Sequence, residues 1–320
     1  MLMLTRIATL LSVLSFALAA QAQYPAKPVK ILVTIPPGGA PDISARLIGQ
    51  RLSETLGQPV VIENKPGANG NLAGEIVAKA APDGHTLILA ADSLIAINPH
   101  VYGKMPFDPR KDLVPVSGVA TNQFFLAVNP QVPAKTLPEL VDYARKANPP
   151  LSFASGGNGS QHQLGIEMLK RAAGIEMTHV PYRGGAPAGI ATISGETQVV
   201  LAGASNAGQL KAGKLRGLAT TGVKRSPLFP DLPTIGEFYP GYEVTIWLGL
   251  FAPAGTPEPI VAKLRDEVQK ALRDPELANR LNVTGRLEPL IASPQEFAAL
   301  IQKDYEKYGK LVKEIGIKLD

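Results

Sequence analysis

The sequence predicts an α/β protein of two lobes with a ligand cleft between them. Three observations carry this. Strand and helix signals alternate in two separate stretches of the 320 residues, a length that suits two domains better than one. Each stretch holds one copy of the same local unit: an apolar strand, a glycine-rich turn and a helix N-terminus. The chain must also cross from the first stretch to the second near Ala120–Phe124 and return near Tyr242–Gly249, and two crossings favour a hinge with a ligand in the cleft. The expected division is lobe 1 at 23–120 and 247–320 and lobe 2 at 121–246, after a leader at 1–22.

The elements follow in order. Val29–Ile35 is an apolar strand, and Pro36-Pro37-Gly38-Gly39 is the turn after it. From about Asp42 to Leu56, Ile43, Leu47, Ile48, Leu52 and Leu56 fall on one helical face, with Gly57 as C-cap. Val60–Ile62 is a strand, the loop Glu63–Gly70 leads to a helix carrying Leu72, Ile76, Val77 and Ala80, and Pro82-Asp83-Gly84 turns into strand Thr86–Ala90. This βαβαβ rhythm implies a parallel sheet covered on both faces. Val114–Ala120 and Phe124–Asn129 are two further apolar runs, and Thr136 with Glu139 reads as a capping box. The second rhythm runs through strand Leu151–Ala154, helix Ser160–Ala173, strand Met177–Pro181, helix Gly185–Ser194, strand Gln198–Leu201, helix Asn206–Ala212 and strand Leu215–Thr220. Ser226–Pro240 reads as an ordered loop, and Tyr242–Ala252 as a strand containing Trp247, the one tryptophan, expected in the core near the crossing. Thr256-Pro257, Asp274-Pro275 and Ser293-Pro294 each pair a capping residue with Pro at the first helical position, and Ser293 and Glu296 form a further box.

Composition bounds the rest. With 45% hydrophobic and 18% charged residues, the chain is ordinary for a globular protein with a large core. Arg6, the apolar run Ile7–Ala20 and Ala20-Gln21-Ala22 read as a secretory signal cleaved before Gln23. The absence of cysteine excludes disulfides, cysteine zinc sites, thiol nucleophiles and a lipidated N-terminal cysteine. Together these point to the periplasm. The net charge is +5, or +4 once Arg6 is lost with the leader, and the basic residues are scattered. That favours anionic ligands mildly and speaks against nucleic acid as a partner.

The repeated unit carries the chemistry. A helix N-terminus exposes free N–H groups and the positive end of the dipole, so it seats an anion. The first seat comprises Pro37, Gly38, Gly39 and Ala40, with Asp42 in the first turn complementing or capping the dipole. The second comprises Ser155, Gly156, Gly159 and Ser160, with Ser160 and Gln163 as a capping box and His162 facing either the ligand or the helix packing. Two such ends contribute about 0.3–1 kcal/mol each, and direct hydrogen bonds to charged oxygens about 1.5–3 kcal/mol each. Micromolar affinity, about −8 kcal/mol, is then within reach without Arg or Lys in the site. Asp92 and Ser93 follow a parallel strand at its ligand-binding end, where Asp92 either pairs with an amino group or caps the next helix. Asn69, in a glycine-rich loop, is expected to line the cleft. No GxxxxGK[ST], HExxH or G-x-S-x-G occurs, so neither a P-loop, a metal site nor a hydrolase elbow is supported, and no cofactor is expected.

The chain also resembles a known family. Tyr24-Pro25-x-Lys27-Pro28, then Pro36-Pro37-Gly38-Gly39-x-x-Asp42-x-x-Ala45-Arg46, is similar to the start of the Bug-type solute receptors, the periplasmic binding components of tripartite tricarboxylate transporters. The similarity continues through Leu56–Val61, Glu63–Ala68, Pro82-Asp83-Gly84, Asn98-Pro99, His179-Val180-Pro181-Tyr182, Ala212–Arg216 and Ala252–Pro257. It implies a type II periplasmic-binding-protein fold closing on a small carboxylated solute. It also implies that loops 37–42 and 155–162 hold a carboxylate through backbone amides and bridging waters. Many relatives carry an Asp after the strand at 198–201, where this chain has Ala202-Gly203, so a ligand without an amino group is expected beside Ala202. The expected function is capture of a small carboxylate by a monomeric receptor that delivers it to membrane permease subunits, without catalysis. The alternatives are a receptor signalling to a membrane sensor kinase, and an exported hydrolase using Ser155 or Ser160 with His162.

Overall fold

The computed structural model describes residues 24–203 and 206–319. The expected leader and cleavage site lie outside the described residues. The strands are β1 (Val29–Val33), β2 (Val60–Asn64), β3 (Thr86–Ala91), β4 (Leu113–Gln123), β5 (Phe125–Val128), β6 (Leu151–Ser155), β7 (Met177–Pro181), β8 (Val199–Ala202), β9 (Arg216–Thr220), β10 (Thr245–Pro253) and β11 (Glu288–Pro289). The helices are α1 (Ala40–Leu56), α2 (Asn71–Ala78), α3 (Asn98–Val101), α4 (Leu137–Lys146), α5 (Gln161–Ala173), α6 (Gly185–Ser194), α7 (Ala207–Lys211), α8 (Glu258–Leu272), α9 (Pro275–Arg280) and α10 (Pro294–Ile315).

Two sheets result. The first has the order β11-β4-β10-β3-β1-β2 and the second β7-β6-β8-β5-β9. β1 is parallel to β2 and β3, and β6 is parallel to β7 and β8, as strands joined by crossover helices must be. β10 runs antiparallel between β3 and β4, and β5 antiparallel between β8 and β9, because these strands arrive by the crossings between sheets. Pairing of Gln123 with Thr245, Asn122 with Ile246 and Thr121 with Trp247 carries the first sheet to the crossing itself. The chain changes sheets at Phe124 and returns at Val244.

Each sheet is covered on both faces. On the first, Leu47, Ile48 and Leu52 of α1 and Val261, Leu264 and Val268 of α8 close one side. Trp247, Phe251, Phe107 and Phe297 close the other. Trp247 is fully buried and donates Nε1–H to Asp304 at 2.8 Å, which satisfies its one polar group. On the second sheet, α4 and α5 cover one side and α6 and α7 the other.

Cap chemistry departs from expectation in three places. Thr136 accepts from the Glu139 N–H, but the Glu139 carboxylate reaches past it to the Lys135 N–H at 2.7 Å, so the box is half formed. Thr256 is not a cap. Its hydroxyl donates to the Pro253 carbonyl at 2.7 Å, and α8 starts after Pro257. Ser160 caps α5, but the Gln163 side chain accepts the Gly159 N–H at 2.8 Å instead of the N–H of Ser160. The Ser293–Glu296 box forms in full.

A fifth apolar cluster joins the halves. Leu164 and Met168 of α5 meet Tyr308, Leu311, Val312 and Ile315 of α10. One turn on, Arg171 is ion-paired with Glu314. Gln161, Leu164, Met168 and Arg171 recur at helical spacing, so one stripe of α5 lies on the first half.

Candidate functional site

β1 feeds the first seat. Gly38 takes φ +90°, which a side chain disfavours, whereas Gly39 has an ordinary φ of −83° as the N-cap of α1. A Cβ at 39 would sit 2.2 Å from Ile35 Cδ1, so a side chain there needs the free end of Ile35 to move. Asp42 is buried and occupied. Its carboxylate accepts the Gly38 N–H at 2.9 Å, the Asn64 amide at 2.9 Å and the Arg46 guanidinium at 2.9 and 3.1 Å. Burial works against its charge, but the bonds from Arg46, Gly38 and Asn64 outweigh it and hold the carboxyl below its usual range. The Asp42 carboxylate therefore braces the loop from within the protein. Pro37 and Gly38 are exposed, and Ala40 opens the helix.

β6 feeds the second seat. Gly157 and Gly159 take φ +124° and +72°. Ser155 is fully buried, with Oγ 2.6 Å from His179 Nε2 and accepting the Gly157 N–H at 3.1 Å. The Ser155 hydroxyl is therefore engaged inside the protein. Ser160 Oγ donates to the Gly157 carbonyl at 2.6 Å. The serine–His162 pairing that a hydrolase needs is not formed, because Ser155 is bonded to His179 and His162 faces elsewhere.

His162 stands in the first turn of α5 against Phe124, with ring centroids 4.5 Å apart. Its Nδ1 is buried without a hydrogen-bond partner among the described residues. Burial pushes the imidazole down to about 4, so the ring is neutral at physiological pH.

Asp92 follows β3 and is fully buried. One carboxylate oxygen accepts from the side chain of Gln161, which stands on the opposite half, and the other has no partner among the described residues. Burial, with a smaller contribution from the like charge of Asp304, pushes Asp92 up to about 8 against the opposing bond from Gln161. A carboxyl with no exposed surface cannot meet a ligand without moving. Asp92 is thus an interlobe strut, which corrects both roles weighed from sequence. Ser93 opens a π-helical turn, Ser93–Ile97, and stays partly exposed.

Asn69 lies in a left-handed turn in which Gly67, Ala68, Asn69 and Gly70 all have positive φ. The Asn98 side chain holds it by donating to the Asn69 carbonyl at 3.1 Å and to Asn71 at 2.8 Å. The turn packs on Thr34, beyond β1, and Gly159 packs on Val101. Ala202 is fully buried in the apolar cluster with Phe125, Ala154 and Ala188, so its methyl is core and not a ligand surface. Among the described residues no group of three metal-ligating side chains converges.

The structure thus brings Asp92, just after β3, onto Gln161 and Val101 onto Gly159, beyond the end of β6. Sequence reasoning gave Gln161 and His179 no partners, which lie 69 and 24 residues away, although both fall in segments that the family resemblance singles out. It also missed the turn Tyr182–Gly185, a third strand–glycine–helix unit visible in the sequence once sought.

This is the architecture of a two-sheet solute receptor, and comparison with known proteins agrees. Residues 44–317 match the tripartite tricarboxylate transporter family receptor model, TctC. The protein BugT of Bordetella pertussis is 32% identical over 92% of this chain and 91% of its own. Among solved structures, R. palustris Rpa4515 with adipate is 35% identical, covers 92% of this chain and 99% of its own, and superposes with a TM-score of 0.83. MatC from Rhodopseudomonas palustris with bound malate is also 35% identical, over 90% and 100% of the two chains, with a TM-score of 0.77. The chain belongs to the tripartite tricarboxylate transporter receptor family.

Proposed function

We propose that this chain is a non-catalytic periplasmic receptor that captures a small carboxylate and hands it to the permease subunits of a tripartite transporter. The observation that carries this is the pairing of a glycine-rich helix N-terminus on each half, in a chain whose solved relatives are named with adipate and malate. A division into two lobes that bend about Phe124 and Val244 is supported by the change of sheet at those residues. The leader at 1–22 exports the chain. With Asp92 enclosed and Ala202 in the apolar core, neither position offers a free carboxylate to an ammonium group, which supports an acid without an amino group.

Isothermal titration with adipate, malate, citrate and aspartate tests this. Micromolar binding of one of the first three and weaker binding of aspartate is the expected result. Failure of all four would overturn the carboxylate reading, and turnover of an ester substrate would overturn the absence of catalysis.

A further inference from the structure

His162 explains glycines that the seats themselves do not require. A Cβ on Gly156 would lie 3.0 Å from His162 Nδ1, and one on Gly185 would lie 2.8 Å from His162 Nε2. Neither glycine has a positive φ, so backbone freedom is not the reason for them. The ring fills the space that both leave. The loops after β6 and β7 run side by side there: the Tyr182 N–H donates to the Ser155 carbonyl at 3.0 Å, and a Cβ on Gly156 would come 3.4 Å from the Gly184 carbonyl carbon. Both loops lead into helix N-termini, those of α5 and α6.

The other face of the ring meets Phe124, where the chain crosses between sheets. Phe124 donates its N–H to Thr221 Oγ1 at 2.9 Å and accepts the Thr221 N–H at 3.0 Å. Thr221 also donates Oγ1–H to the Val244 carbonyl at 2.6 Å and accepts the Val244 N–H at 2.9 Å. One fully buried threonine therefore holds both crossing strands. A contiguous chain of contacts runs from Gly185 through His162 and Phe124 to Thr221.

We infer that His162 is the positioning residue of the second seat, its ring setting the spacing of the α5 and α6 N-termini and tying that spacing to the crossing strands. The ring acts by its shape and not as a ligand to the solute. Its role in binding rests on the carboxylate reading above, while its packing role does not.

A stability cycle without ligand separates the two. Gly185→Ala is expected to lower the thermal midpoint in the native chain and to have no further effect in the His162→Ala background, a coupling equivalent to about tenfold in the unfolding equilibrium. His162→Phe is expected to recover most of the stability that His162→Ala loses, and His162→Asn little. Additive effects of the two alanine changes, or rescue by Asn but not Phe, would overturn the inference. If His162→Ala does not fold, amide chemical shifts in Gly185→Ala decide. Phe124 and Thr221 are expected to move, while Gly208→Ala, whose Cβ meets open space, leaves them in place. Unmoved Phe124 and Thr221 amides would equally overturn it. In titrations with adipate and malate, Gly185→Ala is expected to bind about tenfold more weakly. Absence of binding by the unaltered protein would count against the carboxylate reading alone.

Discussion

The two glycine-rich helix N-termini share a local pattern but are held in opposite ways. The first is braced from within. Asp42 draws in the Gly38 N–H, Asn64 and Arg46, all from the same half. The second is braced from across the molecule, since Gln161 bonds to Asp92 and Gly159 packs on Val101 and Leu319. The first seat carries an ionised carboxylate beside it, largely offset by Arg46. The second has no carboxylate in the first turn of its helix, where His162 is uncharged. Similar strand–glycine–helix units therefore give a self-contained, charge-balanced seat on one side and one supported from across the molecule on the other. The second is the better place for an anion's full charge, because no carboxylate stands in its first turn.

Substitution of the glycines breaks this comparison most sharply. Gly159→Val forces a β-branched residue to φ +72° against Val101 and Leu319, a cost of about 1–3 kcal/mol in backbone strain alone. Loss of carboxylate binding by about ten- to a hundredfold in calorimetry is expected. Gly39→Val is expected to cost less, since its φ is ordinary and the blocking atom is the free end of Ile35. Equal losses would show that the two seats contribute alike.

The interlobe strut gives the next effect. Asp92 stays protonated in the folded protein up to about 8, well above the ordinary carboxyl value of 3.8. The folded state thus binds an extra proton between these values. The stability Asp92 contributes is complete below about pH 4 and is lost as the pH rises through 8, by at most about 1.4 kcal/mol per unit. His162 acts with the opposite sign. Its folded value near 4 lies below the ordinary 6.5, so its contribution is lost as the pH falls from 6.5 through 4. Asp92→Asn is expected to flatten the decline in thermal midpoint between pH 6.5 and 8, where His162 no longer titrates. An unchanged decline would place its origin elsewhere.

The smallest effect belongs to the charge at the first seat. Asp42→Asn keeps an acceptor for Gly38 but leaves the Arg46 guanidinium unbalanced. Anion affinity is expected to rise by about 0.3–1 kcal/mol, less than tenfold, read by titration at low salt. A fall in affinity would show that the carboxylate's bracing outweighs its charge.

Local order was legible in the sequence wherever one residue type has one backbone job. Gly57, Gly174 and Gly195 end their helices in the left-handed conformation, and Ser293 and Glu296 cap each other. Alternating strand and helix signals implied two parallel-type sheets because crossover connections leave few other arrangements. Side-chain roles were less legible. Ser155, Asp42, Asp92 and Ala202 all read as ligand groups, and each is enclosed or already bonded in the structure.

The sequence by itself therefore determined most of the elements, several of their caps and the two-sheet plan, and its spaced motifs gave the family resemblance. The elements and caps rest on interactions between residues three or four apart and on the period of apolar side chains. The tertiary structure decided which polar groups remain free for a ligand. Asp92 meets Gln161 and Asp42 meets Asn64 only after the helices have packed, and a group's availability is set by the partner that packing brings to it. That is why the repeated glycine turns were visible at once, while the difference between them was not.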